Sequence, residues 1–285
     1  MRIDAHIHTL HADRGVDGKL CPPLRPRWVA GAQSPEAYVK ECRTRGIDQV
    51  LLLDPPDVTF AVKKIFGDFI LAAPQVDLDK VLPRDIDELF KRGACGIKFI
   101  SPTRPYGDDA YLPIYDAVRA HQGLAVFHTG YLVLGMFEPG GLLARKSIVD
   151  INHMRPSTLD RICRAFPDLN ILMAHFGNPW WEEAWKMIAS HKNMYADFSG
   201  GTAYRRAMSM WSEIFKPDGR LDTAAIGKLC FASDASYCFQ GVYGSEEHVA
   251  FYERFFDVLK VPAELQEQVN RGNMQRLTAQ PVGRG

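Results

Sequence analysis

The sequence has no apolar run approaching a membrane span, no Cys-x-x-Cys pair, no internal repeat and no low-complexity tract. Each absence removes a class of protein. Without a run of roughly twenty apolar residues there is no candidate transmembrane helix. The cysteines, Cys21, Cys42, Cys95, Cys163, Cys230 and Cys238, are scattered. That suits reduced thiols and argues against a disulfide framework or a zinc knuckle. An excess of charge is missing too, since Lys+Arg and Asp+Glu both number 34. Non-specific nucleic-acid binders carry a basic surplus, so neither nucleic acid nor a membrane is an expected partner. The opening Met1-Arg2-Ile3-Asp4-Ala5-His6 lacks an apolar core of signal-peptide length, and a cytoplasmic location is the expectation.

What is present is a 285-residue chain, 46% hydrophobic, long enough to bury a large α/β core. Short apolar runs at 1–9, 49–54, 69–76, 94–100, 124–129, 170–175, 194–198 and 229–234 read as strands. Helical patterns separate them. Ser34 and Pro35 open one that Gly46 stops, Asp57 caps the next, and Asp85 begins a third. Further helices are expected at 112–121, 157–166 and 180–191, and two more close the chain at 246–258 and 264–277. Eight βα units predict a (β/α)8 TIM barrel occupying 1–285 as one domain, with its active site at the C-terminal ends of the strands. The long connections at 10–33, 131–155 and 200–222 all follow strands, on that face.

Polar residues stand at the ends of these strands. His6 and His8 lie two apart on the first, so their side chains share a face. Lys98 is near the end of the fourth, His128 ends the fifth, His175 the sixth and Asp234 the eighth. The intervals from His8 to His128 and from His175 to Asp234 both come to about 30 residues per βα unit. A single histidine in an apolar strand is commonly a satisfied core residue. Four of them with an aspartate, all at strand ends of one barrel, point to a metal site.

The stretches Asp4-Ala-His-Ile-His8, Gly96-Ile-Lys98, Phe127-His128-Thr129, 166–177 with its Ala-His175-Phe-Gly, and Ser233-Asp234 resemble the amidohydrolase superfamily. The similarity is to its branch of amino-carboxymuconate-semialdehyde decarboxylase-like metal-dependent hydrolases and runs from residue 1 to about residue 277, including the terminal 270–277. The resemblance implies one divalent metal held by His6, His8, His128 and Asp234, with His175 beside the ligands and catalytic. Imidazoles with one carboxylate suit Zn²⁺, and Mn²⁺ takes the same ligands. Such an ion lowers the pKa of a bound water to about 7. Asp234 is then the general base, and His175 stabilises developing negative charge. In two-metal relatives a fourth-strand lysine is carboxylated and bridges the ions. Lys98 is open to that role or to contact with a substrate carboxylate.

The loops after the strands carry Arg25, Arg27, Arg104, Tyr106, Tyr131 and Trp180. Arginines in an aromatic wall suit a small carboxylic acid. The same arginines could instead pair with neighbouring aspartates such as Asp13, Asp17, Asp108 or Asp109. Three functions remain open: a hydrolase of a lactone, ester or amide, a non-oxidative decarboxylase of an aromatic or unsaturated acid, and a barrel that binds without turnover. A metal-dependent DNase would need basic loops, which zero net charge does not offer. The branch also makes a homodimer an expectation.

Overall fold

A computed structural model of the chain describes residues 1–8, 35–132, 149–200, 203–236 and 245–279. Its strands are β1 (Arg2–His8), β2 (Ile47–Leu52), β3 (Ile70–Ala72), β4 (Gln75–Val76), β5 (Gly96–Phe99), β6 (Leu124–His128), β7 (Asn170–Ala174), β8 (Met194–Asp197), β9 (Leu229–Cys230) and β10 (Ala235–Ser236). All pair in parallel, in the orders β10-β1-β2-β3 and β4-β5-β6-β7-β8-β9. The breaks are local. Pro74, which has no N–H to give, separates β3 from β4, yet its carbonyl still accepts from Lys98 N at 3.0 Å. Between β9 and β10, Phe231 O accepts from Ala5 N at 2.9 Å and Asp234 N donates to His6 O at 2.7 Å. With each broken pair taken as one stave, eight parallel staves close into a TIM barrel.

Burial follows the two faces of the staves. Leu51, Leu53, Leu124, Val126, Leu172, Cys230 and Ala232 pack inside the barrel, which Met274 and Leu277 close at its N-terminal end. Val50, Leu52, Ala125, Phe127, Ile171 and Met173 point outward against the helices. With both faces of the first strand covered, its interior residues are all buried. Its phase also changes. Ile3 and Ala5 belong to the inner cluster and Ile7 to the outer one. The register slips by one residue between Asp4 and Ile7, where the β2 partners advance only from Val50 to Leu52. An extra residue of this kind re-aims the chain beyond it, and so His6 and His8 finish on the inner face.

The helices lie where the patterns placed them, with local differences. The second spans Pro56–Phe66, and Asp57 sits in its first turn without capping it; Pro55 is the N-cap residue. In the helix Pro83–Lys91 the Asp85 carboxylate accepts from Leu82 N at 2.9 Å. The last expected helix divides into Ala263–Glu267, a π-helical turn Gln268–Gly272 and Asn273–Leu277. Cys42, Cys95, Cys163 and Cys230 are buried. Among the described residues no helix is long and apolar enough to cross a membrane.

Candidate metal and active site

Every strand-end residue singled out in the described part of the chain, apart from the loop residues, converges on the barrel mouth. His6 Nε2 lies 3.2 Å from His8 Nε2. Asp234 Oδ1 is 3.5 Å from the first and 3.6 Å from the second. Ligands on a tetrahedral Zn²⁺ with bonds of about 2.0–2.1 Å stand about 3.3 Å apart, so this triangle has the right edge. Its chemistry is right as well. His8 Nδ1 faces the buried Asp54 carboxylate at 3.1 Å, and a carboxylate accepts, so the proton sits on Nδ1 and Nε2 keeps its lone pair.

The second histidine pair can be read the same way. His175 Nδ1 lies 2.9 Å from the Ser199 carbonyl, which can only accept, so this nitrogen is the donor. His175 Nε2 is then an acceptor, and its neighbour at 3.0 Å is His128 Nδ1, which must donate. The remaining His128 nitrogen, Nε2, is buried with no hydrogen-bond partner among the described residues. A buried lone pair without a donor costs about 1–3 kcal/mol unless something occupies it, and a cation does. His128 therefore fits the donor set, although its nitrogens stand outside the tight group formed by His6, His8 and Asp234. His6, His175 and Asp197 form a second close group of possible ligands, but its histidines are already hydrogen-bonded. Ser199 Oγ already sits 3.1 Å from His6 Nδ1 and 3.0 Å from His175 Nδ1, satisfying both.

Burial sets the electrostatics. It holds His6 and His128 well below the usual histidine value, with the Lys98 charge adding to the effect. Burial and Lys98 likewise lower His175 to about 4, against the pull of Asp197. All three rings are neutral at pH 7, the state a metal requires. Lys98 itself is lowered to about 8 by burial, with Asp197 and Asp234 opposing. Its Nζ is buried and has no hydrogen-bond partner among the described residues. A cation at the mouth with spare donors is a seat for an anion.

Backbone strain marks the same residues. His175 has φ 65° and Asp234 has φ 62°, in the left-handed region that costs a non-glycine residue about 1–3 kcal/mol. Gly200, at φ 56°, leaves room for Asp234, because a Cβ there would come within 2.3 Å of Asp234 Oδ2. Behind the site Phe176 and Phe198 pack with ring centroids 4.8 Å apart, and Phe198 packs on Trp211 at 4.8 Å. These rings anchor the turns that carry His175 and Ser199.

The loop residues fare differently. Arg104 is exposed and pairs with Asp108 at 3.6 Å, so it does not reach into the mouth. Tyr106 is fully buried, its hydroxyl 2.9 Å from the His128 carbonyl, and braces β5 and β6 instead of walling a pocket. Trp180 stacks with Tyr131 at 5.8 Å and under Arg155 at 4.8 Å. It lines an outer cavity of about 830 Å³ with Trp181, Trp185, Met210 and Ile214, which shares no residue with the histidine cluster. Arg25 and Arg27 lie outside the described residues. The expectation that His175 reaches a water or substrate oxygen meets a ring whose two nitrogens are both engaged. Sequence reasoning passed over Asp54, Asp197 and Ser199. Each follows an apolar strand run, the signal that found the histidines, but short polar residues at such positions are also common turn formers.

A family model described as Amidohydrolase matches residues 3–277. No curated protein sequence matches the chain. Among solved structures the fold is similar to 5-carboxyvanillate decarboxylase from Sphingomonas paucimobilis, at 13% identity and TM-score 0.60 over 97% of this chain and 98% of that one. It is similar to a probable 2-pyrone-4,6-dicarboxylic acid hydrolase from Acinetobacter baumannii with citric acid bound, at 12% identity and TM-score 0.60 over 97% and 98%. A third likeness is to a dihydroxybenzoic acid decarboxylase from Polaromonas with bound manganese and the inhibitor 2-nitroresorcinol, at 12% identity and TM-score 0.59 over 97% and 96%. At these identities the likeness is one of fold.

Proposed function

The chain belongs to the amidohydrolase family, and from that footing we propose that it is a hydrolase using one divalent metal ion and water to open a small carboxylate-bearing lactone, ester or amide. The observation that carries this reading is the triangle of His6 Nε2, His8 Nε2 and Asp234 Oδ1, with edges of 3.2, 3.5 and 3.6 Å. His128 Nε2, without a hydrogen-bond partner among the described residues, supplies the fourth donor. Zn²⁺ suits this set, and Mn²⁺, present in the Polaromonas structure, accepts the same donors.

When bound, the ion supplies Lewis acidity and an acidified water near neutral pH. The residues do the rest. Asp234, with its side chain 30% exposed, is open to the mouth and takes the water's proton as general base. It then returns that proton to the leaving oxygen or nitrogen. Lys98 holds the substrate carboxylate and fixes the ring or chain with its acyl carbon toward the water. His175 acts on His128, keeping its Nδ1 proton in place so that Nε2 is available.

The test is a panel of carboxylated lactones, esters and amides run with chelated and Zn²⁺- or Mn²⁺-reconstituted protein. Metal-dependent appearance of the ring-opened or cleaved acid is the expected result. CO₂ release from an aromatic or unsaturated acid with no hydrolytic product would move the assignment to decarboxylation. Tight metal binding without turnover across both panels would make it a binding protein.

A further inference from the structure

Ser199 is the point at which two of the mouth's histidines meet. Its hydroxyl is 3.1 Å from His6 Nδ1 and 3.0 Å from His175 Nδ1, and its carbonyl takes the His175 proton at 2.9 Å. The residue is buried and held firmly. Asp197 Oδ1 accepts from Ser199 N at 2.8 Å and from His175 N at 3.0 Å, so one carboxylate oxygen ties the ends of two staves together. The other oxygen, Oδ2, is buried without a hydrogen-bond partner among the described residues and lies 3.9 Å from His6 Nδ1.

His6 therefore has a choice that His8 and His175 do not have. A proton on Nδ1 donates to Ser199 Oγ, because that hydroxyl's own hydrogen is taken by the Asp197 carboxylate, and it also feels the Asp197 charge. A proton on Nε2 is drawn by Asp234 Oδ1 at 3.5 Å and by the His8 lone pair at 3.2 Å. Only the first leaves Nε2 free to bind a cation. We propose that Ser199 is a positioning residue that fixes the His6 proton on Nδ1, and so presents His6 Nε2 as a ready metal ligand. The inference rests on the metal reading above. It goes beyond it in assigning the readiness of the site to a residue outside the ligand set.

The side chain and the backbone of Ser199 can be separated experimentally. Ser199→Ala deletes the hydroxyl that His6 uses and keeps the carbonyl that His175 uses. Two measurements apply: Zn²⁺ affinity of the full chain by chelator competition, and the tautomers of His6 and His175 in ¹⁵N-histidine-labelled, metal-free protein by long-range ¹H–¹⁵N NMR. In the wild type both rings should carry the proton on Nδ1. In Ser199→Ala the His6 proton should move toward Nε2 while His175 stays unchanged, and Zn²⁺ affinity should fall about 10- to 100-fold, the usual cost of losing a ligand's supporting hydrogen bond. Ser199→Thr, which restores the hydroxyl, should recover both. If its methyl group prevents folding, the comparison of His6 with His175 inside the alanine variant decides alone. A wild-type His6 protonated on Nε2 overturns the proposal, as does an alanine variant with the wild-type tautomer and affinity within about threefold. Wild-type protein that binds no divalent ion defeats the metal reading instead, and the His6 tautomer shift still decides the role of Ser199.

Discussion

The two ends of the barrel bury polar side chains in opposite ways. At the N-terminal end Asn273, fully buried, spends its amide N–H groups on the carbonyls of Gly227 at 2.9 Å and Leu229 at 2.7 Å. Its Oδ1 accepts from Arg276 at 2.9 Å, and Arg276 in turn reaches the Tyr195 hydroxyl at 2.9 Å. Donors meet acceptors, and the result is a plug. At the mouth, His8 Nε2 and His128 Nε2 are acceptors, and neither His128 Nε2 nor Lys98 Nζ, both buried, has a hydrogen-bond partner among the described residues. Closed hydrogen bonding stabilises a fold, and open hydrogen bonding of like kind is destabilising until a ligand enters. The contrast separates the part of the molecule that holds the barrel from the part prepared for chemistry.

The sharpest way to break this contrast is one substitution at each end. Asp234→Asn keeps the shape and removes the charge. Turnover should fall at least about 1,000-fold, because a ligand and the general base are lost together. The stability of the metal-free protein should change by less than it does in the variant at the other end. Asn273→Ala should do the reverse. It strands two buried carbonyls at a cost of about 2–4 kcal/mol, visible as a lower thermal midpoint, with metal affinity within about threefold. Denaturation curves and chelator competition on both variants check the pair, and an Asn273→Ala protein that loses metal but not stability would erase the distinction.

Lys98 gives the next effect. A native pKa of about 8 against an ordinary value of 10.5 means that between those limits the unfolded chain binds a proton the native state lacks. Stability of the metal-free protein should therefore rise with pH from about 8 to 10.5, and the full cost of the buried charge is present below pH 8. His175, at about 4 against 6.5, has the same sign in a lower window, so stability falls as pH drops from 6.5 toward 4. Lys98→Met should flatten the alkaline limb alone and stabilise the metal-free protein at pH 7 by on the order of 3 kcal/mol. The same variant should lose about 10- to 100-fold in preference for an acid over its methyl ester. Equal alkaline limbs in both proteins would show that Lys98 is not the strained group.

The sequence pattern made the barrel and most of its mouth readable, for a physical reason. Buried parallel strands are continuous apolar runs, so a histidine or aspartate at their ends stands out. His6, His8, His128, His175, Lys98 and Asp234 were all visible this way. The inward aim of His6 and His8 was not, because it depends on the register slip between Asp4 and Ile7, which a period of two cannot express. Nor were the breaks at Pro74 and before Asp234, where the staves stay continuous through single hydrogen bonds. Asp54 and Ser199 were hidden because their importance lies in which nitrogen they touch. Arg104 and Trp180 stand apart from the histidine cluster for another reason: position after a strand fixes the end of the barrel but not the direction of a long side chain.

Arg104 supplies the smallest effect and the control for Lys98. Both are cations at the same end of the barrel, but one is buried without a hydrogen-bond partner among the described residues and the other is exposed and 3.6 Å from Asp108. An exposed ion pair of that kind is worth about 0–1 kcal/mol, and its guanidinium is already answered by a carboxylate. Arg104→Gln should therefore change the acid-over-ester ratio in kcat/KM by less than about threefold and stability by less than about 0.5 kcal/mol. Measured beside Lys98→Met on one matched acid and methyl ester, the two variants ask whether burial or mere proximity makes a cation selective. If Arg104→Gln costs as much discrimination as Lys98→Met, the Asp108 pair opens in the presence of substrate, and the seat for the carboxylate extends from the mouth onto its rim.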